Sequence, residues 1–333
     1  MFTKKIALAF SVSVFSFFAV LDAHGQWISG NLLTSNPTTA VRATEEGMYV
    51  SLGLRKYINS FTSYEFSDIP GGAYGTDPVS RLEWPWEQTF GVIKLGANYY
   101  GLQVNFEGAA TLFKDSGLLA QDSDWLYPLN HNQKAVFSDA LAMPRNWTLD
   151  TNIGFGLPIA SGVQWLLGYR AQEFRFTYMD MNQRSLIPEY NSGFTAGEAI
   201  QFSQYYKHYY GGGALRTQLD LGRSVTSLAG YNLFLRLQGD VAYVTAKNVD
   251  FHVLRDPGPR FTYESTRGIC WHVNLAADFH ITKAISLGLT GDFMSIRTSG
   301  GHRLMEPGAD ESWDTAKVWS EQKYIELSGM LTF

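Results

Sequence analysis

The chain has 333 residues and one cysteine, Cys270. A single thiol makes an intrachain disulfide impossible and leaves no thiolate set for a zinc site. Charge is scarce too: 17% of residues are charged, and the net charge is −5. That weak acidity gives no general attraction to nucleic acid, and no such partner is expected. Low charge together with many aromatic residues excludes a disordered chain. GxGxxG, P-loop, HExxH and GxSxG patterns are absent, so the sequence offers no motif for dinucleotide, nucleotide, zinc-protease or serine-hydrolase chemistry. Beyond the first 25 residues no stretch is apolar enough to cross a bilayer as a helix.

Gly 32, Tyr 18, Phe 22 and Trp 9 fit many strands and tight turns. Met1 to about Gly25 reads as a secretory signal peptide: Lys4 and Lys5, then the apolar run Ile6–Leu21, then Ala23 and Gly25 as small-residue cleavage sites. Cleavage leaves residues 26–333 as a single domain. The chain after it alternates. In Trp271–Ile281 one face is Trp271, Val273, Leu275, Ala277, Phe279 and Ile281; the other is His272, Asn274, Ala276, Asp278 and His280. Leu233–Val244 behaves alike, and Ile325, Leu327, Gly329, Leu331 and Phe333 share one side of the last segment. A polar face of that kind is unfavourable in lipid and natural in a wet lumen. Strand-length alternation of this type is the signature of a transmembrane barrel. A soluble β-sandwich also alternates, but long polar segments at 67–81, 116–145, 180–201, 247–261 and 299–317 contrast with short turns such as Thr282-Lys283, the asymmetry of a membrane barrel. The fold class expected is therefore all-β, an antiparallel transmembrane β-barrel with long extracellular loops. Asn146-Trp147-Thr148 matches a glycosylation acceptor that has no meaning in a bacterial barrel, and Gly211-Gly212-Gly213 reads as close packing at a strand.

Two ionisable clusters stand out. Asp122-Ser123-Asp124-Trp125 places two carboxylates on one side of an extended segment. Like charges that close resist joint ionisation. Asp250-Phe251-His252 places a carboxylate beside an imidazole, which fixes the tautomer of the ring and raises its basicity. Read alone, the first is also compatible with a solvated acidic turn and the second with a chance pair at a strand end. Two carboxylates and a histidine could also ligate a divalent ion, but nothing else suggests a ligand set, and no metal is expected.

These residues resemble the omptins, outer-membrane endopeptidases of Gram-negative bacteria. The resemblance runs from about Met48 to Phe333. It rests on Val50-Ser51-Leu52-Gly53, Ser80-Arg81-Leu82-Glu83-Trp84, Asp122-Ser123-Asp124-Trp125, Gly168-Tyr169 with Glu173-Phe174-Arg175, Asp250-Phe251-His252 followed by Asp256-Pro257-Gly258, Arg260 and Thr262-Tyr263, and the closing Leu331-Thr332-Phe333. It implies ten strands, an outer-membrane location and a groove at the extracellular rim. It also implies aspartic-type peptide hydrolysis by Asp250 and His252 facing Asp122 and Asp124. Peptide or protein substrates are the implied partners of a monomeric barrel, with no cofactor beyond lipopolysaccharide as a candidate activator.

The chain departs from the family pattern where the family keeps two acids for a basic P1 side chain. Those positions fall on Asn248 and, ungapped, on Phe61, with Glu65 an alternative if a gap is allowed. Without these carboxylates a strict arginine preference is not expected. For lipopolysaccharide, Glu173 and Arg175 match part of the family's motif. Gly268 and Tyr205 fall where cations are expected, with Arg267 and Lys207 nearby. The competing readings are a catalytically weak barrel acting as an adhesin or structural protein, and a lipid-cleaving or pore-forming barrel. Ser265 and Ser295 read as ordinary strand serines, and ten strands leave a narrow, filled lumen.

Overall fold

A strand with one apolar and one polar face can cross a bilayer only where every backbone N–H and C=O finds a partner on a neighbouring strand. The computed structural model describes residues 47–67, 78–113, 118–125, 133–157, 160–188, 191–221, 231–253 and 258–333. The signal peptide and the Asp256-Pro257 pair lie outside them. The described chain forms β1 (Gly47–Tyr57), β2 (Phe61–Phe66), β3 (Ser80–Pro85), β4 (Thr89–Tyr99), β5 (Leu102–Phe113), β6 (Leu119–Asp124), β7 (Val136–Pro144), β8 (Trp147–Leu157), β9 (Ala160–Ser185), β10 (Gly193–Asp220), β11 (Asn232–His252), β12 (Arg260–His280), β13 (Ile285–Glu306) and β14 (Ala309–Thr332). All pairings are antiparallel.

The pairing order closes twice. One ring runs β1-β4-β5-β8 and then β9 through β14, closed by β1 against β14. The second runs β2-β3-β6-β7 and the same six long strands, closed by β7 against β9. The eight short strands are thus halves of four walls, and the barrel has ten walls. The first break falls at Asn59, which takes a left-handed φ of 46°, a conformation asparagine tolerates better than most residues. The six long strands have 21 to 28 residues, against roughly 9–11 for a tilted membrane crossing. The surplus carries them beyond the lipid, at the end opposite Phe333.

The two rings hold different interiors. In the ring that includes β1, the outward side chains are apolar and exposed: Leu52 and Leu54, Ile93 and Leu95, Val104 and Phe106, Val273 and Leu275, Leu327 and Leu331. Its lumen is an ion-pair network. Arg55 donates to Glu326 at 2.7 Å and to Glu107 at 2.6 Å, and Arg170 to Asp150 at 2.6 Å. His272 lies between Asp240 at 2.6 Å and Asp292 at 2.7 Å. The other ring is filled with aromatic rings from opposite walls, with Trp84 on Phe202 at 3.6 Å and Trp86 against Phe174 at 3.9 Å between centroids. Cys270 is buried on the inward face of β12. Gly212 is a place of close approach, since a Cβ there would meet the Gly239 carbonyl oxygen at 2.1 Å.

The polar segments expected as loops are partly strand. β9 and β10 cover most of 180–201, and β13 and β14 meet in a turn at Pro307-Gly308, where Gly308 takes a φ of +88°. Above the lipid both faces of a strand meet water or polar groups, so apolar alternation fades while the hydrogen-bonded ladder continues. Leu275→Arg, at the middle of the outward run on β12, is expected to destabilise the barrel by about 2–4 kcal/mol in urea unfolding from lipid vesicles. Tyr263→Arg, on the same face beyond the apolar run, should change stability by no more than about 0.5 kcal/mol.

Candidate functional site

The inward face beyond the lipid is fixed by alternation on β11, where Asn248 and Asp250 point into the barrel and Asp250 has no exposed surface. His252 is the next residue on that face, at the rim, with 15% of its side chain exposed. Its Nε2 lies 2.9 Å from Asp250 Oδ2. Tyr64, reaching across from β2, donates its hydroxyl to the same oxygen at 3.0 Å and lies 3.3 Å from Thr262 Oγ1. Burial pushes the Asp250 carboxyl up. The charge and hydrogen bond of His252, the Tyr64 hydroxyl and the Arg260 guanidinium outweigh it and hold the group below the ordinary carboxylate value. Arg260 is the register partner of His252 on β12 and places a cation beside the pair.

Asp122 and Asp124 come from the opposite wall. Residues paired directly across antiparallel strands share a face, and Asp122 pairs with Leu82, which pairs with Tyr64. Tyr64 points inward, so Leu82 and Asp122 do as well, and Asp124 follows two residues later. Tyr178 on β9 lies in the field of both sides: burial first, then the charges of Asp122 and Asp250, raise its hydroxyl well above the usual value. The structure thus brings the dyad and the acidic pair onto the inner surface of one rim, with Tyr64 spanning from the wall of the pair to the dyad.

Sequence reasoning missed a polar row one level beneath the dyad. Gln204, Asn248, Glu264 and His302 are successive register partners on β10, β11, β12 and β13. All four are at least 98% buried. His302 Nδ1 lies 2.7 Å from Glu264 Oε1. The short contact looks like an ion pair, yet burial and then Arg260 push His302 down to about 3, while burial and then Asp250 raise Glu264 well above its usual value. Both directions favour the uncharged forms across this short contact. Phe66 stacks on the His302 ring with centroids 4.0 Å apart. The four come from four different strands, and only the register joins them.

Two expected positions fall elsewhere. Thr62, Tyr64 and Phe66 make the inward contacts of β2, so Phe61 and Glu65 lie on its outer face. Glu65 is bound there by Arg81 at 2.7 Å and Lys317 at 3.1 Å. The residues that reach inward from β2 are Thr62, toward Gln204 and Tyr206, and Tyr64, toward Asp250, one and three positions beyond Phe61. On the outer wall Glu173 is held by its neighbours, with Trp147 Nε1 donating at 2.6 Å and Arg175 Nε at 2.8 Å. Tyr205 pairs across from Glu173, whereas Gly268 and Arg267 lie three strands away on β12.

No family model matches the sequence, and no curated protein matches it. Among solved structures, the outer membrane protease OmpT from Escherichia coli superposes with a TM-score of 0.69 at 17% identity, over 87% of this chain and 98% of that chain. The translocator domain of the autotransporter NalP from Neisseria meningitidis gives a TM-score of 0.37 at 8% identity, over 95% of this chain and 98% of that one. The first agreement establishes the shared barrel fold, and the second is too loose to add to it.

Tyr64→Phe tests the cross-barrel contact. Losing a donor to a buried carboxylate is expected to destabilise the protein by about 1.5–3 kcal/mol at pH 7 in denaturant unfolding. The lowered Asp250 group contributes stability that is present above the ordinary carboxylate value and lost as pH falls through its native value. Removing the donor raises that native value toward the ordinary one, so the stability lost on acidification should be smaller in Tyr64→Phe than in the wild type and complete at a higher pH.

Proposed function

We propose that this barrel is an endopeptidase of the outer membrane whose groove faces the cell exterior. The observation that carries the reading is the Asp250–His252 hydrogen bond, set at the inner rim of a barrel that shares the fold of a known protease. Asp250 accepts from Nε2, which leaves Nδ1 of His252 as the basic nitrogen. In the reaction His252 takes a proton from a water, and the water attacks the peptide carbonyl. The imidazolium that forms is stabilised by Asp250 and by the hydrogen bond Tyr64 gives that carboxylate. Asp122 and Asp124 position the water from the opposite wall. Arg260, beside His252, is suited to the developing oxyanion. Neither Ser nor Cys belongs to this set, so hydrolysis proceeds without a covalent intermediate.

The P1 preference follows from the row beneath the dyad. Asn248 supplies an amide where an arginine side chain would need a carboxylate, and burial favours the uncharged forms of Glu264 and His302 beside it. Desolvating a guanidinium against neutral groups is unfavourable, so the pocket takes uncharged side chains, apolar or aromatic among them. Peptide or protein is the substrate of a barrel acting as a monomer, and lipopolysaccharide remains a candidate activator to include in the assay.

Peptide-library cleavage by refolded protein, with and without lipopolysaccharide, tests both parts. His252→Ala or Asp122→Ala should lower turnover by at least about 100-fold, the low end for a lost general base. Wild-type rates in either variant would remove the assignment, and absence of cleavage by a folded wild-type barrel would favour an adhesin or structural role. Asn248→Asp should raise cleavage after arginine by about tenfold relative to other residues. Strict arginine specificity in the wild type would overturn the P1 reading.

A further inference from the structure

Arg260 faces the dyad from β12 with its fork unengaged. Thr262 is fully buried on the inward face of that strand, so Arg260, two residues nearer the rim, points inward as well. It pairs with His252 across β11 and β12, which sets the two Cα atoms about 4.5–5.5 Å apart. Its Nε is buried without an acceptor. None of its nitrogens donates to a partner among the described residues. Other arginines of the barrel are held differently. Arg55 and Arg170 each bind a carboxylate at 2.6 Å, and Arg81 and Arg303 each bind one at 2.7 Å.

The acids nearest Arg260 are committed elsewhere. Asp250 takes its hydrogen bonds from His252 and Tyr64 and meets Arg260 only as a charge. Glu264 is turned to His302. A guanidinium carries five N–H donors in one plane, a geometry matched to the two oxygens of a carboxylate. A developing oxyanion occupies one or two of these donors and leaves the rest for the substrate. Asp122 and Asp124 stand on the opposite wall, so an acidic side chain placed toward that wall is repelled. One placed toward β12 meets the fork. Successive side chains on one face of an extended peptide are about 6.6 Å apart, so the reach of Arg260 from His252 covers residues within two positions of the cut.

We propose that Arg260 is a specificity residue whose fork binds the carboxylate of an aspartate or glutamate side chain within two residues of the scissile bond. The preferred substrates are then peptides that carry an acidic residue close to an uncharged P1. This rests on the endopeptidase reading of the groove and extends it from the P1 pocket over Asn248 to a second subsite. The two subsites act independently, since Asn248 lies beneath the dyad and Arg260 beside it at the rim.

Hexapeptide pools with Glu, Gln or Lys fixed at each position in turn test the site, offered to refolded wild type, Arg260→Lys, Arg260→Gln and Arg260→Glu, with cut sites read by mass spectrometry. The reading is the ratio of kcat/KM between pools for one enzyme, so a general loss of turnover through the oxyanion cancels. At one position within two residues of the cut, the wild type should favour Glu over Gln by about tenfold or more, as expected for a charge-assisted contact. Arg260→Lys should keep part of that ratio, Arg260→Gln should bring it to about one, and Arg260→Glu should favour Lys. Equal rates for Glu and Gln at every position overturn the proposal, and so does a Glu preference that survives in Arg260→Gln. If the wild type cuts no pool, the endopeptidase reading falls, and fluorescence anisotropy with the same pools on the His252→Ala barrel decides this site separately. Tighter binding of a Glu pool that is lost in His252→Ala/Arg260→Gln then supports it, and equal binding of Glu and Gln pools overturns it.

Discussion

Every feature of this molecule depends on the hydrogen-bonded closure of β1 onto β14. Tyr49 to Tyr57 pair with Thr332 to Tyr324 without a break. Lipid offers the backbone no partners, so an open edge in the membrane would leave a row of N–H and C=O groups unsatisfied at several kcal/mol each. Closure fixes which side of each strand faces lipid, and that fixes everything inside. The lumen of this ring can then hold Arg55, Glu107, Glu326, Arg170 and His272, because each charge there meets an opposite one at hydrogen-bond distance.

The second ring uses the same long strands for a different purpose. Where lipid ends, the walls need not face hydrocarbon, and the interior changes from ion pairs to aromatic packing. Tyr64, Trp84, Phe202 and Phe176 tie opposite walls together. A wall-to-wall core of this kind holds side chains at the rim with little freedom, and catalytic geometry needs that rigidity. The buried position of Asp250 follows from the same packing. Its carboxylate survives burial because His252, Tyr64 and Arg260 each favour the charged form. Glu264, one level deeper and near that charge, is driven to the neutral form instead. Two acids one level apart on paired strands are thus shifted in opposite directions by their surroundings.

The outer surface repeats the lesson that level decides role. Arg267 and Ile269 are neighbours on one face of β12, yet one lies beyond the exposed apolar run and the other opens it. An arginine placed lower on the wall would be strongly destabilising. Glu173 and Arg175 show the other outcome, a pair satisfied largely by each other and by Trp147.

Period-two alternation by itself determined the barrel class, the wet lumen face with His272 and Asn274, and the lipid face with Trp271 and Leu275, because side-chain direction in a strand follows from parity alone. Spacing likewise put Asp250 with His252 and Asp122 with Asp124 on common faces. Parity fails across a break or a partner strand. Phe61 was expected at the specificity pocket from an ungapped count, and the structure turns it outward because Thr62 and Tyr64 take the inward positions of β2. Register, which depends on closure and on contacts far apart in the chain, alone decided that Tyr64 reaches Asp250. Register also aligned Gln204, Asn248, Glu264 and His302 in one row and set Arg260 beside His252. None of those groupings has a local signal, since each member comes from a different strand and they meet only when the ring is closed.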